Sequence, residues 1–135
     1  MPNREEDIKQ FYGSYLDTFH AGETKAMVPF YHVPCLFITD QGVMLLSDEA
    51  EIEKLFAQVI EGLQGRNYSH SEVMDVQIKE LSGEVALFSG LAVRYTKTGE
   101  ELERLSATYT MCKSRNAWQF VTVVAHSPET LVRFA

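Results

Sequence analysis

The sequence has few of the residues that mark redox, metal or nucleotide chemistry. It has two cysteines, Cys35 and Cys112, and no Cys or His pattern with the spacing of a zinc site. A glycine-rich phosphate loop and a Gly-x-Ser-x-Gly nucleophile turn are also missing. We therefore predict no metal and no cofactor, and we expect the two cysteines to be reduced residues of the core.

Basic charge and long apolar runs are scarce as well. Twelve Lys and Arg residues against nineteen Asp and Glu residues give a net charge of -7, with no basic cluster. Such a surface repels nucleic acid and anionic membranes. No apolar run approaches the roughly 20 residues that span a bilayer, and the first residues do not resemble a secretory signal. We expect a cytoplasmic protein with no nucleic-acid or membrane partner.

Apolar and aromatic residues are abundant enough for one core. They make up 45% of the 135 residues, and they include six Tyr, eight Phe and one Trp. A chain of this length is close to the commonest domain size. The expected organisation is a single domain over residues 1–135.

The first half of the chain has helical periodicity. Over residues 5–20, large apolar side chains recur at steps of three and four and predict a helix. Asn3 and Glu6 resemble a capping box, and Gly22 provides the stop. A second helix over residues 24–31 should be short or partly 3₁₀ because Pro29 interrupts it.

A short strand and a third helix follow. Residues 35–39 are rich in β-forming side chains and end in a turn at residues 40–42, from which residues 43–46 return as a second strand. Ser47 or Asp48 then caps a helix that ends at Gly62 or Gly65.

From residue 68 onward the apolar period becomes two. Turn sequences divide this part into four strands, at residues 68–80, 84–96, 102–113 and 117–126. Helices followed by an antiparallel meander predict an α+β fold, with the helices on one face of the sheet.

Two segments resemble a known superfamily. The order of elements, together with "YLDTFHAGETKAMVPFYHVPCLFITDQGV" and "AWQFVTVVAHSPE", resembles the nuclear transport factor 2-like (NTF2-like) superfamily, particularly its SnoaL-like and ketosteroid-isomerase-like small proteins. The resemblance implies a curved, mostly antiparallel sheet wrapped into a cone by three helices. It also implies an apolar cavity and frequent dimerisation through the outer face of the sheet.

The acid residues of the ketosteroid isomerases are not all retained. Aligned on Ala21-Gly22, Tyr15 matches the tyrosine of their oxyanion hole. The proton-shuttling carboxylate falls at Thr39, one residue before Asp40, and the second acid falls near Thr108. Because threonine is not a proton shuttle near neutral pH, we do not expect steroid isomerisation.

The resemblance still suggests which residues line a pocket. The candidate ligand-binding residues are Tyr15, Phe37, Thr39, Arg94, Tyr109 and His126. If the domain is an enzyme, His126 or Asp40 is the candidate base and Tyr15 the oxyanion donor.

Each of these interpretations has a structural alternative. Tyr15 fits a plain core position equally well, and backbone contacts beside Ser127-Pro128 could hold His126. The polar face of the strand at 102–113 could line the pocket or form the outer surface of the sheet.

Two functions remain open. One is a domain that binds a small apolar or amphipathic molecule, with cofactor-free isomerase or lyase chemistry by proton transfer. The other is a noncatalytic homodimerisation or adaptor module whose own aromatics fill the cavity. In both cases a homodimer through the outer sheet face is expected, because the strand at 84–96 is apolar on both faces.

Overall fold

The computed structural model describes residues 4–134 and contains, within them, three α-helices and six β-strands. The elements are α1 (Arg4–Ala21), α2 (Thr24–Met27), β1 (Tyr31–Thr39), β2 (Gly42–Leu46), α3 (Glu49–Gln64), β3 (Tyr68–Ser82), β4 (Val85–Thr96), β5 (Glu101–Ser114) and β6 (Ala117–His126). A 3₁₀ turn, Val28–Phe30, joins α2 to β1. Asn3 of the predicted capping box lies outside the described residues.

The six strands form one curved sheet in the order β2-β1-β6-β5-β4-β3. All neighbouring pairs are antiparallel except β1 and β6, which run parallel. The helices cover one face of this sheet, which we call the inner face. The predicted α+β arrangement of three helices in the first half and a long meander in the second is confirmed.

The helix ends follow the predicted local chemistry. The Asp48 side chain accepts a hydrogen bond from the Glu51 backbone N–H at 2.9 Å, and the Glu51 carboxylate accepts one from the Ser47 N–H at 2.8 Å. The first bond satisfies a donor that the first turn of α3 would otherwise leave unpaired, and the second ties the residue before the cap to the helix. Gly22, which follows α1, has a φ of 71°, a conformation that glycine adopts without steric cost.

Strand β1 begins at Tyr31, four residues before the predicted start at Cys35. Pro34 has no N–H to donate, and the sheet accommodates it through a register shift against β6 between Tyr31 and Leu36. Tyr31, which was expected to close a helix, instead enters the sheet and is 2% exposed. Burial of the Tyr31 ring therefore outweighs the tendency of Pro34 to keep the preceding residues out of the strand.

The two faces of the sheet differ in chemistry. Phe88 and Tyr109 lie opposite each other on β4 and β5, and both contact the Tyr12 ring of α1. They therefore mark the inner face. Ser89 and Thr108 alternate with them and lie on the outer face. The polar residues of β5 therefore lie on the outer face of the sheet, which decides between the two positions that the sequence left open for them.

A bulge at Val121 changes the phase of β6. Thr110 of β5 pairs with Thr122, but Met111 pairs with Phe120, so Val121 is left as an extra residue. Strict alternation along residues 117–126 predicts that Trp118, Phe120, Thr122, Val124 and His126 share one face. Phe120 is in fact part of the core, whereas Thr122 hydrogen-bonds Thr110 on the outer face.

Gly90 of β4 should not tolerate a side chain. A Cβ atom at this position would lie 2.8 Å from Cγ1 of Val73, whose branched side chain has little freedom to move. We expect Gly90→Ala to lower the free energy of unfolding by about 1–3 kcal/mol, as overpacking does. Urea denaturation measures this change.

The matched control for this substitution is Gly13→Ala. Gly13 lies in α1, and nothing lies within 4 Å of a Cβ built there. Because alanine is the better helix former, Gly13→Ala should leave stability unchanged or raise it by up to about 1 kcal/mol. Equal effects of the two substitutions would contradict the close contact at Gly90.

Candidate functional site

The interior between α1 and the inner sheet face is filled by aromatic rings. Tyr12 stacks on Phe88 with ring centroids 4.2 Å apart, and Tyr109 lies 4.4 Å from Phe120. Tyr31 closes the same cluster, 5.0 Å from Phe56 of α3. The protein's own side chains therefore occupy the centre of the cone.

Two pairs of tyrosine hydroxyls satisfy each other inside this cluster. The hydroxyl oxygens of Tyr15 and Tyr31 are 2.6 Å apart, and those of Tyr12 and Tyr109 are 3.3 Å apart. Burial is the largest cause that raises the pKa of each of the four phenols. They therefore remain neutral at physiological pH.

Arg94 is held at the edge of this cluster. Its guanidinium pairs with the Glu103 carboxylate at 3.0 Å and lies 5.9 Å from the Phe19 ring centroid. Arg66 also donates to Glu103. With its charge paired and its side chain 18% exposed, Arg94 fastens β4 to β5.

A depression of about 820 Å³ opens where β1 and β6 end. Its walls are largely apolar, and its lining includes Ile38, Thr39, Asp40, Leu105, Val124 and His126. We call it the β1–β6 depression. Its volume is in the range of small-molecule sites.

The parallel pairing of β1 and β6 brings this site together. Because the two strands run in the same direction, both finish at the same edge of the sheet. Ile38 pairs with Val124, so Asp40 just after β1 and His126 at the end of β6 line one space.

A hydrogen-bonded chain on the outer face orients His126. Its Nε2 lies 2.8 Å from Oγ1 of Thr108, which lies 2.9 Å from Oγ of Ser89. Ser106 is paired across the sheet with His126, and its buried hydroxyl has no partner among the described residues. When Nε2 donates to Thr108, the Nδ1 atom presents a lone pair.

The carboxylate across the depression is more exposed. Asp40 lies in the tight turn between β1 and β2, where the Thr39 hydroxyl accepts a hydrogen bond from the Gln41 backbone N–H at 3.0 Å. This bond orders the turn that carries Asp40. The depression thus combines an oriented imidazole, an exposed carboxylate and apolar walls.

The predicted site residues therefore divide into two groups. The structure brings Thr39, Asp40 and His126 together in the β1–β6 depression. Tyr15, Phe37, Arg94 and Tyr109 do not line it. Phe37 packs against Tyr31 and Phe56, with ring centroids 5.6 and 5.8 Å away.

The sequence indicates the polar face of β5 but not its connection to His126 and Ser89. Ser106, Thr108 and Thr110 are alternate residues of β5, so they share one face of the strand. This run of hydroxyl residues was the available signal. Ser89 comes from β4, and only the register of the two strands places it beside Thr108.

A second imidazole, that of His20, has a structural role. Its Nε2 accepts a hydrogen bond from the Ser71 backbone N–H at 3.0 Å and so ties the end of α1 to β3. Desolvation, and after it the charge of His70, lower the pKa of His20. Both effects favour the neutral ring that this bond requires.

Other chemistry is sparse in the part of the chain that the structure describes. Within residues 4–134, no three His, Cys, Asp or Glu side chains are grouped so that they could hold a metal ion. No helix there is long and apolar enough to cross a membrane.

Cys35 and Cys112 are free, and burial raises the pKa of the Cys35 thiol to about 11. The Cys35 thiol therefore stays protonated and is a poor nucleophile.

Solved structures with the same fold have very different sequences. Aln2 from a Streptomyces species matches with a TM-score of 0.77 at 13% identity, over 96% of this chain and 95% of Aln2. An NTF2-like protein with a cystatin-like fold from Novosphingobium aromaticivorans matches with a TM-score of 0.75 at 13% identity, over 91% of this chain and 80% of its own.

A third structure is an NTF2-like protein of unknown function from Shewanella oneidensis. It matches with a TM-score of 0.74 at 13% identity, over 93% of this chain and all of its own. At such low identity these likenesses show the fold alone.

The sequence itself identifies the family. No curated protein matches the chain. The model of the family described as NTF2-like protein (DUF6841) matches residues 4–128, which is nearly the whole chain. Together with the curved sheet and three helices, this match shows that the chain belongs to the NTF2-like protein (DUF6841) family.

Proposed function

We propose that the domain binds a small, largely apolar molecule in the β1–β6 depression and supports cofactor-free proton transfer there. The observation that carries the proposal is the meeting of Asp40 and His126 in one apolar space of about 820 Å³, although they are far apart in the chain. An apolar pocket with a few convergent polar groups is the usual form of a ligand site.

The arrangement of His126 supports the role of proton acceptor. Thr108 hydrogen-bonds Nε2 and fixes the orientation of the ring, and Ser89 in turn hydrogen-bonds Thr108. A proton leaving a carbon atom of the ligand would pass to Nδ1, and the Asp40 carboxylate would stabilise the imidazolium that forms. Return of this proton to a neighbouring carbon gives an isomerisation, and loss of a leaving group gives a lyase reaction.

The aromatic interior changes one part of the expected chemistry. Tyr15 donates or accepts within its pair with Tyr31 and does not line the depression. The proposed site therefore uses His126 and Asp40 without a tyrosine oxyanion donor. Ser106, whose buried hydroxyl has no partner among residues 4–134, pairs with His126 in the register of β5 and β6 but does not line the depression.

A test of proton transfer uses 5-nitrobenzisoxazole, whose ring opens when a base removes its carbon-bound proton. We expect the protein to accelerate this opening, and His126→Ala to reduce the acceleration by at least about 100-fold, as loss of a general base does. Asp40→Asn should have a smaller effect. The coloured phenolate product measures the rate.

His32→Ala is the matched control, because His32 is an imidazole on β1 that does not line the depression. Equal rates for the wild-type protein, His126→Ala and His32→Ala would rule out the base. Native mass spectrometry of protein purified from cells tests binding separately, since a bound molecule adds its mass to that of the chain.

A second candidate function is a noncatalytic homodimerisation or adaptor module. The aromatic interior favours it, because Phe37 and Tyr109 fill space that a ligand would use in an open cone. The edge strand β2 also exposes three successive apolar residues, Val43, Met44 and Leu45. A ligand-free homodimer in the same native mass spectra, together with no rate acceleration, would favour this module.

A further inference from the structure

A second groove lies on another side of the molecule from the β1–β6 depression. It has a volume of about 580 Å³ and is bounded by the first half of α1, the 3₁₀ turn Val28–Phe30 and the hairpin between β5 and β6. We call it the α1–hairpin groove. It shares no lining residue with the β1–β6 depression, so a ligand in one does not occupy the other.

The base of the α1–hairpin groove is aromatic. Phe11 of α1 and Phe30 of the 3₁₀ turn lie with ring centroids 5.2 Å apart, and Trp118 of β6 completes the lining. Trp118 is 6% exposed, and the Lys113 ammonium lies 5.9 Å from its ring centroid. An aromatic or flat apolar group would pack against these rings.

The rim of the groove carries two opposite charges. Asp7 of α1 and Lys113 of β5 both line it. Neither side chain forms an ion pair with any residue in the described part of the chain. The two charges therefore face the groove without neutralising each other.

A ligand that complements this groove needs three features. The aromatic base favours an aromatic ring, Lys113 favours a carboxylate, and Asp7 favours an ammonium group. A ligand with only one charge would use only one of the two rim charges. Gln10 and Asn116, which also line the groove, can hydrogen-bond the same polar end.

We propose that the α1–hairpin groove binds a small aromatic zwitterion of the amino-acid type. The aromatic ring packs against Phe11, Phe30 and Trp118, while Lys113 and Asp7 hold the carboxylate and the ammonium. This site is independent of the function proposed for the β1–β6 depression.

The protein carries its own reporter for this site, because Trp118 is its single tryptophan. Three probes with the same ring separate the contributions: L-phenylalanine carries both charges, 3-phenylpropionate lacks the ammonium, and phenethylamine lacks the carboxylate. We expect saturable changes in Trp118 fluorescence, with phenylalanine binding up to about fivefold more tightly than either analogue, as one added surface ion pair allows.

Two substitutions assign the charges. Lys113→Gln should lower the affinity for phenylalanine to that of the wild-type protein for phenethylamine. Asp7→Asn should lower it to that of the wild-type protein for 3-phenylpropionate. Lys79→Gln removes the same charge at a residue outside the groove and should change nothing. Because the two substitutions lie on different elements, misfolding of one variant leaves the other as a test.

Three results would overturn the proposal. The first is no saturable fluorescence change with phenylalanine, and the second is equal affinity for all three probes. The third is loss of phenylalanine binding in His126→Ala, which would place the ligand in the β1–β6 depression instead. Binding that survives His126→Ala and responds to Lys113→Gln and Asp7→Asn supports the groove, whether or not His126 proves to be a base.

Discussion

Raising the pH above about 10 is expected to unfold the protein cooperatively. Burial raises the pKa of Tyr12, Tyr15, Tyr31 and Tyr109 above the ordinary value of 10.0. Below this pH the phenols are protonated in both the folded and unfolded states, and the stability of the fold is fully present. Above it, the unfolded chain releases protons that the folded state retains, so stability falls as pH rises.

The expected effect is large because four phenols act together. Each phenol that stays protonated in the fold and ionises in the unfolded chain removes about 1.4 kcal/mol per pH unit above its unfolded pKa. Phenolate absorbance measures ionisation of the tyrosines over alkaline pH, and circular dichroism measures unfolding. We expect both signals to change at the same pH.

The tyrosine pairs provide matched variants. The double substitution Tyr15→Phe with Tyr31→Phe removes two ionisable groups and both members of one hydrogen bond, so no buried hydroxyl is left unpaired. It should make the alkaline loss of stability about half as steep. Tyr12→Phe with Tyr109→Phe should do the same. Ionisation of all the tyrosines in a protein that remains folded would contradict the closed interior.

Phe120→Ala is expected to lower the free energy of unfolding by about 3–5 kcal/mol, a large part of the stability of a domain of this size. Phe120 is fully buried. Its ring centroid lies 5.0 to 5.3 Å from those of Phe11, Tyr15 and Tyr31, and 4.4 Å from that of Tyr109. Removing the ring leaves a cavity that these rigid neighbours cannot fill.

Urea denaturation tests this expectation with two comparisons. Phe120→Leu keeps most of the volume and should cost much less than the alanine substitution. Leu81→Ala removes an apolar side chain that is 55% exposed and should change stability by no more than about 0.5 kcal/mol. A Phe120→Ala loss as small as that of Leu81→Ala would show that the aromatic cluster does not hold the fold together.

Most of the fold could be predicted from local patterns. The strands at 84–96 and 117–126 were placed to within one residue, because turn residues mark their ends and apolar residues alternate between them. The cap at Asp48 was equally readable, since its partner Glu51 follows at a fixed spacing. In both cases the determining contacts are close in sequence.

The parts that could not be predicted depend on contacts that are distant in sequence. The early start of β1 at Tyr31 results from packing against Phe120. Thr39, Asp40 and His126 were named as site residues, but only the parallel pairing of β1 and β6 shows that they meet. Tyr15 fitted a ligand contact and a core position equally, and its bond to Tyr31 could not be read from its place on α1.

The bulge at Val121 divides β6 into two parts that can change separately. Phe120, before the bulge, belongs to the aromatic core, where most substitutions are costly. Val124 and His126, after it, line the β1–β6 depression. Because of this one extra residue, Phe120 and His126 lie on opposite faces of the sheet, although they are an even number of residues apart. Specificity can therefore evolve at the end of β6 while the determinants of stability in its first half stay constant.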